Sequence, residues 1–137
     1  MSAPARTGTA TAQDYVDAVN ALCDALLPKV VAVTKGGSLG IPLSDYLAQL
    51  PAHTKLLADF DRDLGAVAVP PDAEGKARVI GAYVHYANEL DAKRLAAARK
   101  GAAAYGKEIH AEEASASSNP AITALSPAGF HDSCEAR

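Results

Sequence analysis

The densest set of potential ligands in the chain is Glu108, His110, Glu112 and Glu113. His110 and Glu113 stand three residues apart, a spacing that puts both on one helix face, as in the metal sites of helical bundles. Zinc is an ion that an imidazole and a carboxylate would suit. A bundle site draws its ligands from several helices, so His53 or His85 would have to complete this one. Without them the segment is a polar helix surface. A second set is largely aromatic: Tyr46, Tyr83, His85 and Tyr105, with Tyr86 alongside. Held between helices, these side chains would line a polar pocket for a small molecule. The plainer alternative is a row of core-edge residues whose ring tips reach water.

Other chemistry-bearing patterns fall short of a site. Asp59-Phe60-Asp61-Arg62-Asp63-Leu64-Gly65 has the acids of a calcium loop. Its glycine comes one position late and Pro70 stands where the bidentate glutamate belongs, so a solvated acidic surface is expected. Lys93, Arg94, Arg99 and Lys100 form a basic patch late in a helix. Cations suit that end of the helix dipole, and an anionic surface such as lipid headgroups or cell-wall polymer is the functional alternative. No Ser/His/Asp set is legible, and Gly36-Gly37 lacks the lysine and hydroxyl of a phosphate loop. The expectation is a protein without catalytic activity and without a cofactor.

The elements that would carry these residues are helices. The chain has 137 residues, enough for one domain, and 31 of them are alanine. Leu, Ile, Val and Phe make up only 28 residues, near the lower edge for a folded domain. Alanine is the best helix former but buries little area, so the pattern is one of closely packed helices around a thin core. The first helix is expected from Thr11, as N-cap, to about Thr34, with Pro28 either ending or kinking it. The second starts between Pro42 and Ser44 and is interrupted at Pro51, giving a short helix followed by a longer one. The third begins after Val69-Pro70-Pro71 and runs to about Lys100, with Gly81 either a helix contact or a weak point. A fourth over 102–116 has good propensity but is flanked and broken by Gly101 and Gly106. The fold class is therefore all-α, a three- to four-helix bundle kinked at prolines and closed by one disulfide.

Net charge of −3 argues against a nucleic-acid partner. No apolar run reaches the roughly 18 residues of a membrane span. Residues 1–10 read as a flexible tail ahead of a single domain at 11–137. They carry no signal-peptide core, but their Ala/Thr/Pro composition suits a linker behind a cleaved signal or a membrane anchor, so a tether upstream is expected. Two cysteines lie far apart, Cys23 on the apolar side of the first helix and Cys134 near the C-terminus. They are either two unrelated thiols or one bridge. A bridge would close a loop of about 110 residues and stabilise by roughly 4–5 kcal/mol through loop-closure entropy.

The arrangement Tyr15-Val16-x-x-Val19-Asn20-x-Leu22-Cys23, then Val69-Pro70-Pro71, then Gly129-Phe130-x-x-x-Cys134 resembles small secreted or lipoprotein helical domains of high-GC actinobacteria. The resemblance spans about residues 13–134 and is mainly architectural. It implies a first-helix cysteine paired with a C-terminal one, a helical fold and a place outside the cytoplasm, but no particular activity. Such domains usually carry a clear fourth helix before the last cysteine; here Asn119-Pro120 and Ser126-Pro127 interrupt that segment. The functional expectation is an extracytoplasmic interaction or sensing module with a protein or cell-envelope partner. The alternative is a small-molecule or metal-binding protein using an inter-helix cleft.

Overall fold

Thr11 starts the first helix as a reciprocal cap. Its hydroxyl accepts from the Asp14 N–H at 3.2 Å, and its own N–H donates to Asp14 Oδ2 at 2.8 Å. The computed structural model describes residues 10–35 and 41–137. The expected tail at 1–10 therefore lies outside the described residues except for Ala10, as do Gly36, Gly37 and Ser38. Helix α1 is Ala12–Thr34, α2 Leu43–Gly65, α3 Glu74–Lys100, α4 Ala102–Ala116 and α5 the single turn Pro120–Thr123. Short 3-10 turns at Pro71–Ala73 and Asp132–Ala136 precede α3 and close the chain. No strand occurs among the described residues.

In α1, Tyr15, Val16, Val19, Cys23 and Leu26 form the buried stripe. Pro28 is exposed and the helix continues past it to Lys35, whose left-handed backbone (φ 54°) ends it. Helix α2 corrects one expectation. Pro51 does not divide it, and a single helix runs through. Pro51 faces solvent, where water can satisfy the carbonyl one turn back, and apolar residues on both sides hold the helix to its neighbours. Pro70 and Pro71 start the 3-10 turn that buries Ala73 and leads into α3. Helix α4 is a full fourth helix, with Tyr105, Ile109 and Glu112 turned inward one above the next.

Helices α1 and α2 pack as one pair, and α3 and α4 as another. The main core gathers α1 residues with Phe60, Ile80, Tyr83, Ala87, Leu125 and Phe130 around the Cys23–Cys134 disulfide. Both cysteines are fully buried. A smaller cluster joins Tyr46, Ala98, Tyr105 and Ile109. The last stretch is fastened by more than the disulfide. Asn20, buried in α1, donates to the Gly129 carbonyl at 3.0 Å and accepts from the His131 N–H at 2.8 Å. Tyr83 donates to the Glu135 carbonyl at 2.8 Å, and Lys76 to the Ala128 carbonyl at 2.8 Å.

Candidate ligand-binding cleft

Between the second half of α1, the first half of α2, the second half of α3 and α4 the thin core leaves a cleft of about 530 Å³. That is within the range of small-molecule sites. The tail residues Glu135, Ala136 and Arg137 complete its wall. Leu27 and Val31 stand at its edge, 41% and 47% exposed.

Three of the four residues expected in a pocket meet there: Tyr46, Tyr83 and Tyr105. The Tyr46 and Tyr105 rings pack at 5.1 Å with a 41° tilt. His85 is the correction. It is solvent-exposed, its imidazole 3.5 Å from Glu89, and it takes no part in the cleft. Two residues beyond Tyr83 on a helix is about 200° of rotation, the opposite face. Tyr86 and His53 belong there instead. Both were legible as helix neighbours: Tyr86 lies three residues after Tyr83, and His53 three after Leu50 and seven after Tyr46. Burial pushes the His53 imidazole below its usual value, with Asp91 opposing and Arg94 and Arg137 adding to the shift, so it is neutral at pH 7.

The metal expectation at His110 and Glu113 finds no third ligand. Both side chains face solvent, and no group of three or more His, Cys, Asp or Glu is placed to hold a metal among the described residues. The acid that matters in this segment is Glu112. It is buried and forked by Arg94, Nη2 to Oε1 at 2.5 Å and Nε to Oε2 at 3.4 Å. Arg94 is therefore no member of a surface basic patch; Lys93, Arg99 and Lys100 stay exposed. Burial raises the Glu112 carboxyl, Glu108 adds to that, and the fork opposes both. For Arg94, burial works against the charge, but Glu112 and then Asp91 hold the guanidinium above its usual value. Removing one partner of such a pair leaves a buried, uncompensated charge.

Asp61 also departs from the acidic-surface expectation. Asp59 and Asp63 bond exposed Lys55 and Arg62, but Asp61 receives both Nε and Nη2 of Arg137 at 2.7 Å. Arg137 reaches Asp91 Oδ2 with Nη1 at 3.1 Å and bonds Asn88 as well, and its side chain is 3% exposed. It seals one end of the cleft. Burial pushes the Tyr83 phenol far up, so its hydroxyl remains a donor to the tail. The Tyr86 hydroxyl is shielded from solvent and has no hydrogen-bond partner among the described residues.

The fold also assembles a Ser/His/Asp set that the sequence hid, but in an order that activates nothing. Asp24 accepts from Ser133 Oγ at 2.6 Å and lies 3.1 Å from His131 Nδ1. Nucleophilic catalysis requires serine bonded to the imidazole and the carboxylate behind it. Here serine and histidine both turn to the acid, and the cluster fastens the tail to α1.

No protein-family model matches the chain, and no curated protein and no solved structure is detectably similar to it.

Proposed function

We propose that this domain is an extracytoplasmic binding module without catalytic chemistry, whose inter-helix cleft takes a small, mainly apolar molecule. The cleft carries the reading: a cavity of about 530 Å³, lined by tyrosines and aliphatic side chains, in a domain whose alanine-rich helices cannot fill it. Placement outside the cytoplasm is supported by the disulfide, which persists in oxidising compartments, and by the resemblance to secreted actinobacterial domains. Native mass spectrometry and thermal melts with an uncharged apolar dye test the reading. A ligand present at 100 times its Kd stabilises by about 2.7 kcal/mol, a shift of several degrees for a domain of this size. The absence of both a retained organic molecule and a shift with any apolar compound would sink it.

A second reading, an interaction or sensing module engaged by a protein or cell-envelope partner, draws on the exposed Leu27 and Val31 at the cleft edge. Replacing both with serine is then expected to lower partner capture on intact cells far more than it lowers dye binding in the cleft.

A further inference from the structure

The chemistry of the ligand follows from which polar groups in the cleft are already satisfied, and it rests on the cleft being a binding site. Its buried charges are paired within the protein, while Glu135 lies exposed in the wall with no ion pair among the described residues. Arg94 meets Glu112, Arg137 meets Asp61 and Asp91, and His53 is neutral. An ion entering the buried part of the cleft would lose its hydration without gaining a free counter-ion there, and a buried unpaired charge is strongly disfavoured.

Two donors near Glu112 have no hydrogen-bond partner among the described residues. Arg94 commits Nε and Nη2 to Glu112, while Nη1 makes no hydrogen bond; its nearest carboxylate oxygen, on Asp91, is 3.9 Å away. The Tyr86 hydroxyl, buried in the cleft wall, is likewise unpartnered. Both lie around Glu112, which forks Arg94 directly and whose charge adds to burial in raising the Tyr86 phenol. A buried donor such as the Tyr86 hydroxyl almost always has an acceptor. Much of the rest of the wall is aliphatic and aromatic, with Thr34, Gln49 and Glu135 among its polar residues, and it extends about 16 Å along α3 from Tyr83 to Arg94 at the rise of an α-helix.

We propose that the cleft takes an uncharged aliphatic amphiphile carrying one hydroxyl or carbonyl oxygen, which accepts hydrogen bonds from Arg94 Nη1 and the Tyr86 hydroxyl. The chain of the amphiphile lies along the aliphatic side of the cleft and leaves past Leu27 and Val31.

The test uses the oxidised full-length protein and three probes of matched chain length: a fatty alcohol, the corresponding carboxylate and the corresponding alkylammonium. Each displaces a neutral solvatochromic dye at pH 7, below its micelle concentration. The expected order is alcohol first, with a Kd about tenfold or more below that of either ion. Tyr86→Phe is expected to weaken the alcohol by about three- to tenfold relative to the dye, the loss of one hydrogen bond. A carboxylate or ammonium that binds as tightly as the alcohol overturns the inference and leaves the cleft reading in place. An alcohol affinity unchanged relative to the dye in Tyr86→Phe overturns the assigned donor. If neither dye nor any probe binds, the cleft reading itself falls, and this inference with it. The ranking of the three probes on the wild-type protein stands whether or not the variant folds.

Discussion

Asp24 shows how much one surface carboxylate contributes to holding the tail. The Ser133 hydroxyl, and after it His131, keep its carboxyl below the ordinary 3.8. A depressed value means that the folded state binds this proton less readily than the unfolded chain. The stabilisation is therefore complete above the ordinary value and is lost as pH falls through the folded one. Asp24→Asn is expected to be less stable than wild type near neutrality, with the gap narrowing below pH 3.8. Urea midpoints from about pH 6 down to about pH 2 read this directly; a gap constant over that range removes Asp24 from the latch. At the same scale, the sequence misled about Arg94 and was silent about Arg137 for one reason. Each cation was legible only beside its own neighbours, whereas the carboxylate that draws it inward is 18 residues away for Arg94 and 76 for Arg137. His85 failed differently: it stands next to two tyrosines in sequence but points to the far side of the helix.

Among the elements, the helix starts were the most legible part of the chain. Thr11 with Asp14 is a local signal complete within four residues, and so is the proline pair ahead of α3. The course of α2 was not local. Whether Pro51 breaks a helix depends on the packing of the turns on either side, which propensity does not contain. Helix α4 was obscured by its few large apolar residues; it is held by Tyr105, Ile109 and the fork between Glu112 and Arg94. Gly81 and Gly106 lie inside helices, and a Cβ at either meets nothing within 4 Å, so the close helix contact considered for Gly81 is absent. Alanine at each is expected to raise stability by roughly 0.5–1 kcal/mol, read as a higher urea midpoint at constant slope. Gly129 is the internal control. At φ 99°, with Val16 Cγ1 3.4 Å from its would-be Cβ, alanine there is expected to lower the midpoint. A Gly129→Ala variant as stable as wild type would contradict the constrained tail.

For the whole molecule, the disulfide joins residues 111 apart. Breaking it, as Cys23→Ser with Cys134→Ser, is expected to remove about 4–5 kcal/mol, most of the stability of a domain with so small a core. Comparing denaturant midpoints of the oxidised protein and the double variant measures the loss; equal midpoints would mean that the other tail contacts suffice. The loss extends to the cleft, because the wall formed by Glu135, Ala136 and Arg137 depends on the same tail. The all-α class and the cysteine pair were legible in the sequence. The cleft was legible only as three tyrosines on three helices, since nothing local says that four helices will leave space between them.

Asn20, Cys23 and Asp24 fasten α1 to partners more than 100 residues downstream. During synthesis this part of the first helix therefore waits for its tail partners until about 100 further residues have been made. Contacts of such long sequence separation form late and slow the folding of the units that need them. A product released without residues 125–137 would retain four long helices yet leave Val19 and Cys23 uncovered, a sticky surface bearing a reactive thiol. Only once Cys134 has been made and oxidised does its buried bond to Cys23 close over that surface.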